Sequence, residues 1–206
     1  ITCGANVNFD RLRIIAERSE LGENKEALLA ISLPEQRGSF LKLCETLGNR
    51  HITEFNYRME DSNTAIVFAG IEVKDSKEKT KTLKALKVHG FQVFDLSDDE
   101  ISKSHIRHMV GGKSNLTDNE KLFKFDFPER PGALTSFLSK MHPSWNISLF
   151  NYKHNGTDSG KILIGLQVPE NDGRLLEKFL KQLGYEYTNE SKNLAYKLFL
   201  NKNSLR

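Results

Sequence analysis

Two hundred and six residues carry 30 Lys and Arg against 27 Asp and Glu, a formal net charge of +3, with 38% apolar and 28% charged side chains. That composition suits a globular chain of two modules, each under about a hundred residues, and its interspersed charges leave no basic stripe with interleaved aromatics for nucleic acid. No apolar run approaches the roughly eighteen residues of a membrane span, no basic-then-apolar leader opens the chain, and Cys3 and Cys44 form no Cys-x-x-Cys framework, which suits a reducing cytosol.

The chain opens at Ile1 rather than Met and reads as a piece of something longer. Ile1-Thr2 ends a strand, Gly4 makes a turn, and Phe9 to Arg18 is a helix with Leu12, Ile15 and Ala16 on one face. Ala27 to Leu33 is a short apolar strand ending at Pro34, Gly38 permits a turn, and Phe40, Leu43 and Leu47 follow at helical spacing. From Ile52 to Met59, Phe55 and Tyr57 alternate with Glu54, Asn56 and Arg58, the period of a strand with one face covered. A turn at Asp61-Ser62-Asn63 leads into a partner strand, Ala65 to Val73. Lys77 to His89 is a basic helix carrying Leu83 and Leu86, and Phe91 to Phe94 is a closing strand. Asp98 to Val110 reads as a helix capped by Ser97, and Gly111-Gly112 as a hinge. The pattern then runs again: a strand from Leu122 to Phe127, a helix with Leu134, Phe137 and Leu138, and strands from Asn146 to His154 and Lys161 to Val168. A helix with Leu175, Phe179 and Leu183 and a strand near Tyr185 to Thr188 complete it.

The repetition extends to the residues. Ile52-Thr-Glu-Phe-Asn-Tyr-Arg58 returns 95 positions later as Ile147-Ser-Leu-Phe-Asn-Tyr-Lys153, and Pro34-Glu35-x-x-Gly38 returns as Pro128-Glu129-x-x-Gly132. Gly70-Ile71-x-Val73 matches Gly165-Leu166-x-Val168, and Gly90-Phe91 matches Gly184-Tyr185. The chain is a tandem. Each copy reads βαββαβ, so the fold class is α+β: two ferredoxin-like modules with antiparallel sheets and their helices on one face. The boundaries are 26–100 and 119–206, with a linker at 101–118 and an unrelated segment at 1–25.

No Gly-x-Ser-x-Gly, His-Glu-x-x-His or Gly-x-x-x-x-Gly-Lys-Ser/Thr is present. His105-x-x-His108 shares a helix face but has no further metal ligand nearby, Gly111-Gly112-Lys113 is better read as a linker than a phosphate turn, and Cys44 is a small buried hydrophobe. Asp98-Asp99 favours a helix start, and Trp145 packs where a strand begins. No active site is read here. What remains is the pair of turns and the pair of Phe-Asn-Tyr strands. A tight turn feeding a helix leaves N–H groups able to hold a carboxylate, and a strand beside it carrying a Tyr hydroxyl or Asn amide completes an amino-acid pocket. The alternative is that Tyr57 and Tyr152 merely pack and the asparagines satisfy turns; duplication at equivalent places favours ligand work.

Thr2-Cys-Gly-Ala-Asn-Val-Asn-Phe-Asp-Arg-Leu12, Phe55-Asn-Tyr-Arg58, Asp95-Leu-Ser-Asp-Asp99, His105-Ile-Arg-His-Met-Val-Gly-Gly112 and Phe127-Pro-Glu-Arg-Pro-Gly132 together resemble the C-terminal part of biosynthetic threonine deaminases (threonine ammonia-lyases). The resemblance covers essentially the whole chain. It implies that residues from about 26 onward form two ACT-like regulatory subdomains that bind isoleucine as inhibitor and valine as antagonist. It also implies that residues 1–25 end a pyridoxal-phosphate catalytic domain, in a cytoplasmic homo-oligomer that is a tetramer in the parent enzyme. Carried over residue by residue, the effector contacts are Tyr57, Tyr152, Arg58, Lys153 and Arg107, alongside Asn56, Asn151, Gly38 and Gly132 from the repeated turns and strands. Lys153 stands where the family commonly has arginine, keeping the charge and losing the fork. Cys3 stands where the family has a serine facing the cofactor's pyridine nitrogen. The family's cofactor lysine and glycine-rich phosphate loop have no counterpart in these residues. Two other readings remain: a free-standing ACT-type sensor acting on a separate partner, and a purely structural oligomerisation module. Pro131 fixes its own φ in the second turn, so Tyr152 is expected to matter more than Tyr57 for effector binding.

Overall fold

The computed structural model describes residues 25–60, 62–99, 101–109, 111–128, 130–153 and 159–201. The helix read at Phe9 to Arg18, Cys3 and the assignment of 1–25 therefore lie outside the described residues, save for Lys25, as do Asp61, Val110, Glu129 and His154.

Module 1 is built from β1 (Glu26–Pro34), α1 (Ser39–Leu47), β2 (Ile52–Arg58), β3 (Thr64–Glu72), α2 (Ser76–Val88) and β4 (Gln92–Asp95). Module 2 repeats it with β5 (Glu120–Pro128), α3 (Ala133–Ser139), β6 (Asn146–Lys153), β7 (Ser159–Gln167), α4 (Gly173–Leu183) and β8 (Tyr187–Asn189). A short helix, α5 (Leu194–Phe199), which no periodicity had signalled, follows. All pairings are antiparallel, in the order β4-β1-β3-β2-β6-β7-β5-β8. Each half has the ferredoxin-like order, and the halves join edge to edge into one sheet.

The join is symmetric. β2 pairs with β6 with Asn56 opposite Asn151, so Phe55 faces Tyr152 and Tyr57 faces Phe150. The repeat offset maps each pair onto the other, which places a pseudo-twofold axis between the asparagines. Asn151 Nδ2 donates to Asn56 Oδ1 at 2.8 Å, and the Phe55 and Phe150 rings meet edge to face at 5.2 Å. One apolar core runs under both halves on the helix side.

Helical spacing explains what each helix buries. α1 turns Phe40, Leu43, Cys44 and Leu47 inward, and burial pushes the Cys44 thiol up to about 12. Asp75 caps α2 by accepting from Glu78 N at 2.8 Å, while Glu78 Oε2 accepts from Lys74 N. α4 buries Leu176, Phe179, Leu180 and Leu183. Leu175, expected in that stripe, is 43% exposed, because the buried row runs one residue further along.

Two other expectations are corrected. The linker helix starts as a π-helical turn, Ser102–Ile106, running into Arg107–Met109. Its cap is Asp99, whose Oδ2 accepts from Ser102 N at 2.7 Å. The Ser97 hydroxyl is engaged elsewhere, accepting from Leu28 N at 3.1 Å. β2 has both faces covered rather than one: Glu54, Phe55, Asn56, Tyr57 and Arg58 are all buried, because the linker lies across the side away from the helices, here the open face.

A shared core predicts a shared fate. Urea unfolding followed by far-UV circular dichroism and by Trp145 fluorescence should give one coincident transition. Phe150→Ala should destabilise the whole chain by about 3–5 kcal/mol; two separated transitions would show the modules to be independent.

A composite candidate effector site

Each repeated turn does the same local work. Gly38 sits at φ 85° and Gly132 at φ 79°, left-handed values that suit glycine, and neither α1 nor α3 receives a side-chain cap at its start. The first turn carries Glu35 under the sheet. Tyr57 donates its hydroxyl to Glu35 Oε2, and Asn146 of module 2 donates to Glu35 Oε1 at 3.1 Å. Burial, and then the Glu35 carboxylate, raise the Tyr57 phenol well above its ordinary value.

Beside this turn a cavity of about 320 Å³ opens across the join. Arg37, Gly38, Phe40 and Leu41 come from module 1; Leu138, Met141, His142, Trp145, Asn146 and Ile147 come from the α3–β6 connection of module 2. Trp145 is fixed by its Nε1–H bond to Asp172 Oδ2 at 2.9 Å and by an edge contact with Phe179.

The pseudo-twofold axis generates a second place of the same construction, with Gly132 and Leu134 of module 2 against Arg50, His51 and Ile52 of module 1. It encloses only about 30 Å³, filled by Phe127, Phe150 and Ile162. Tyr152 lines it, and burial pushes its hydroxyl up to about 12.

The nine sequence-predicted site residues therefore separate. Gly38 lines the open cavity, Tyr57 stands behind it through Glu35, which also bonds the cavity residue Asn146, and Gly132 and Tyr152 line the closed one. Arg58, Asn56, Asn151 and Arg107 lie on the opposite face, and Lys153 pairs with Glu54 in the strand register. Glu35, Arg37, Trp145 and Asn146 were not picked out as site residues; the signal that could have found them is that Trp145-Asn146 stands where the other repeat has Arg50-His51.

The open face is held by two buried guanidinium nests of one design. Gly165, Ser148 and Glu120 form one, receiving Arg58: Nη1 donates to Glu120 Oε1 at 2.5 Å, Nε to Gly112 O at 2.9 Å and Nη2 to Leu200 O at 2.7 Å. Ser148 and Tyr196 also donate to Glu120. Gly70, Thr53 and Glu26 form the other, receiving Arg107, which donates from Nε to Glu54 Oε2 at 2.9 Å and lies 3.9 Å from Glu26. A Cβ on Gly70 would clash with Thr53 Oγ1, and one on Gly165 would meet Glu120 Oε1 at 2.7 Å. Arg58 thus ties the linker, both central strands and the C-terminal segment together.

Comparison with known proteins supplies the family. Residues 17–106 and 111–200 each match the C-terminal regulatory domain of threonine dehydratase. The chain belongs to that family. It is 52% identical over 200 residues to the L-threonine dehydratase biosynthetic IlvA of Burkholderia multivorans, covering 97% of this chain and 39% of the relative. With the IlvA of Escherichia coli K12 the identity is 46% over 201 residues, at the same coverage. The mitochondrial threonine dehydratase of Saccharomyces cerevisiae is 42% identical over 209 residues, with 36% of its length matched. This regulatory domain spans less than two fifths of those relatives.

The Arg58–Glu120 pair is almost fully enclosed, at 0% and 2% side-chain exposure. Arg58→Met should strand the carboxylate and destabilise the fold by about 3–5 kcal/mol, with Arg58→Met/Glu120→Gln recovering part of the loss. Chemical denaturation of the three variants checks this; strictly additive losses would show that the two side chains are not coupled.

Proposed function

We propose that this regulatory domain is an allosteric amino-acid sensor binding isoleucine, with valine as its antagonist, in the open cavity between the modules. The observation that carries the reading is that cavity: apolar walls from Phe40, Leu41, Leu138, Met141, Trp145 and Ile147, with an uncapped helix start and the Glu35–Asn146 pair at its edge. Beyond Ser39, whose N–H donates to Gln36 O at 3.2 Å, the N–H groups of the first turn of α1 receive the effector's carboxylate. Glu35 and the Asn146 carbonyl oxygen receive its ammonium, and the apolar walls take the branched side chain. Arg58 and Arg107 act as positioning residues that hold the join, and Tyr57 holds Glu35.

The effector touches both modules at once, so binding favours whichever arrangement of the join fits it, and by linkage whatever favours the other arrangement weakens binding. Isoleucine and valine differ by one methylene, about 1–3 kcal/mol in an apolar pocket. Antagonism therefore comes from similar binding with a different conformational bias.

The parent is proposed to be a cytoplasmic, tetrameric threonine deaminase converting threonine to 2-oxobutanoate and ammonia, the first step of isoleucine biosynthesis. Pyridoxal phosphate, bound in the catalytic portion, supplies the electron sink for that chemistry. Neither cavity at the join is lined by a lysine, and Cys3 is the one contact that the resemblance assigns to the cofactor. A free-standing sensor is disfavoured because the curated relatives are long proteins in which the matched region fills 33–39% of the length.

The chain has one tryptophan, Trp145, and it lines the cavity. Isoleucine should shift its emission saturably and valine should compete; no optical change and no calorimetric heat with either would contradict the reading. Tyr57→Phe should weaken binding by about 0.5–1.5 kcal/mol and Tyr152→Phe by less. That reverses the ranking expected from Pro131, because the roomier cavity lies at the first turn. The chain alone, given pyridoxal phosphate and threonine, should form no 2-oxobutanoate above a protein-free control.

A further inference from the structure

The two modules serve as controls for each other on the open face. In module 2 the outer strands present Lys124, Asp126, Lys161 and Thr188 there, with Lys161 paired to Asp126 at 3.1 Å and Lys124 to Glu190 at 3.3 Å. That is how a wetted sheet face is built. The register places Ala30, Ser32, Ile66 and Phe94 at the same positions in module 1. Ile66 is 64% exposed and Phe94 52%, and the linker, on the same side of the sheet, exposes Ile101 and Ile106. The contrast lies in the outer strands, charged in module 2 and apolar in module 1; the helix across each open face exposes apolar residues in both, Ile101 and Ile106 in one and Leu194 and Phe199 in the other. Clustered apolar exposure of this kind marks a contact surface.

We propose that the open face of module 1 docks the apolar face of the domain that precedes this chain in proteins of the relatives' length. The inference rests on reading the chain as the regulatory part of a threonine dehydratase. Two observations select this occupant over a second copy. The family is a C-terminal one and the chain spans 39% of the Burkholderia multivorans relative, so the remainder there lies ahead of module 1. The described chain enters β1 at Lys25, and Ala30, in the middle of the patch, is roughly 16 Å along the strand at 3.3 Å per residue. The equivalent face of module 2 centres on β5, five strands further across, roughly 24 Å more at 4.8 Å per strand. A tethered domain engages the nearer surface at the higher effective concentration.

The test uses hydroxyl-radical footprinting of Phe94 in the 206-residue chain and in the full-length dehydratase carrying it. A second arm is Ile66→Lys/Phe94→Thr, which installs the residues module 2 already tolerates at those positions. Oxidation of Phe94 should fall at least about fivefold in the full-length protein. The double variant should keep isoleucine affinity, read by Trp145 emission, within about twofold while isoleucine inhibition of deaminase activity is lost. Equal oxidation of Phe94 in both proteins overturns the proposal, as does unchanged inhibition in the variant. Phe94 protected in the short chain alone, with a dimer by light scattering that the variant abolishes, assigns the face to a second copy and also overturns it. Protection confined to the full-length protein, with no isoleucine binding anywhere, supports the docking surface while removing the effector reading.

Discussion

The antiparallel pairing of β2 with β6 is the constraint on which the rest of the molecule depends. Two small modules, each with a sheet covered by helices on one side, leave strand edges that must be paired or protected. Joining at the β2 and β6 edges removes two of them and fuses two marginal cores into one. The same pairing brings Asn146 of one module to Glu35 of the other. It also leaves the polar side of β2 in the interior, where Arg58 and Glu54 need partners. Glu120, Arg107 and the linker carbonyls supply them. The guanidinium nests are therefore a consequence of the join, and they hold it in one register, since every contact Arg58 makes fails if the strands slip.

The pseudo-twofold join produces two equivalent clefts, and the sequence differences between the copies make them unequal. The first turn faces a cavity of about 320 Å³, the second one of about 30 Å³. Because each is built from a turn of one module and a strand start of the other, filling either stabilises the join rather than a single module. Under the proposed reading, occupancy would be reported as a change in how the two halves meet, a form that a tethered domain can read.

Much of this was legible in the sequence. The 95-residue offset, the glycine turns and the strand and helix spacings fix two ferredoxin-like modules and their topology class, because those features are local. The edge-to-edge join was not legible. Alternating Glu54, Asn56 and Arg58 with Phe55 and Tyr57 is the pattern of a half-wet strand, and nothing nearby announces that the charges are buried. Their partners lie 62 positions away for Arg58 and 53 for Glu54. The resemblance assigned effector contacts to both Tyr57 and Arg58, and as adjacent residues of a strand they face opposite sides of the sheet. Trp145 read as packing, and it does pack; that it also walls a cavity depends on the other module's turn.

The most direct test of the composite site is amide hydrogen exchange along both central strands, with and without saturating isoleucine. If the effector bridges the modules, exchange should slow at Glu54–Arg58 and at Leu149–Tyr152 together, because opening the join must first release the ligand. Slowing confined to one of the two strands would contradict the account and place the effector within a single module.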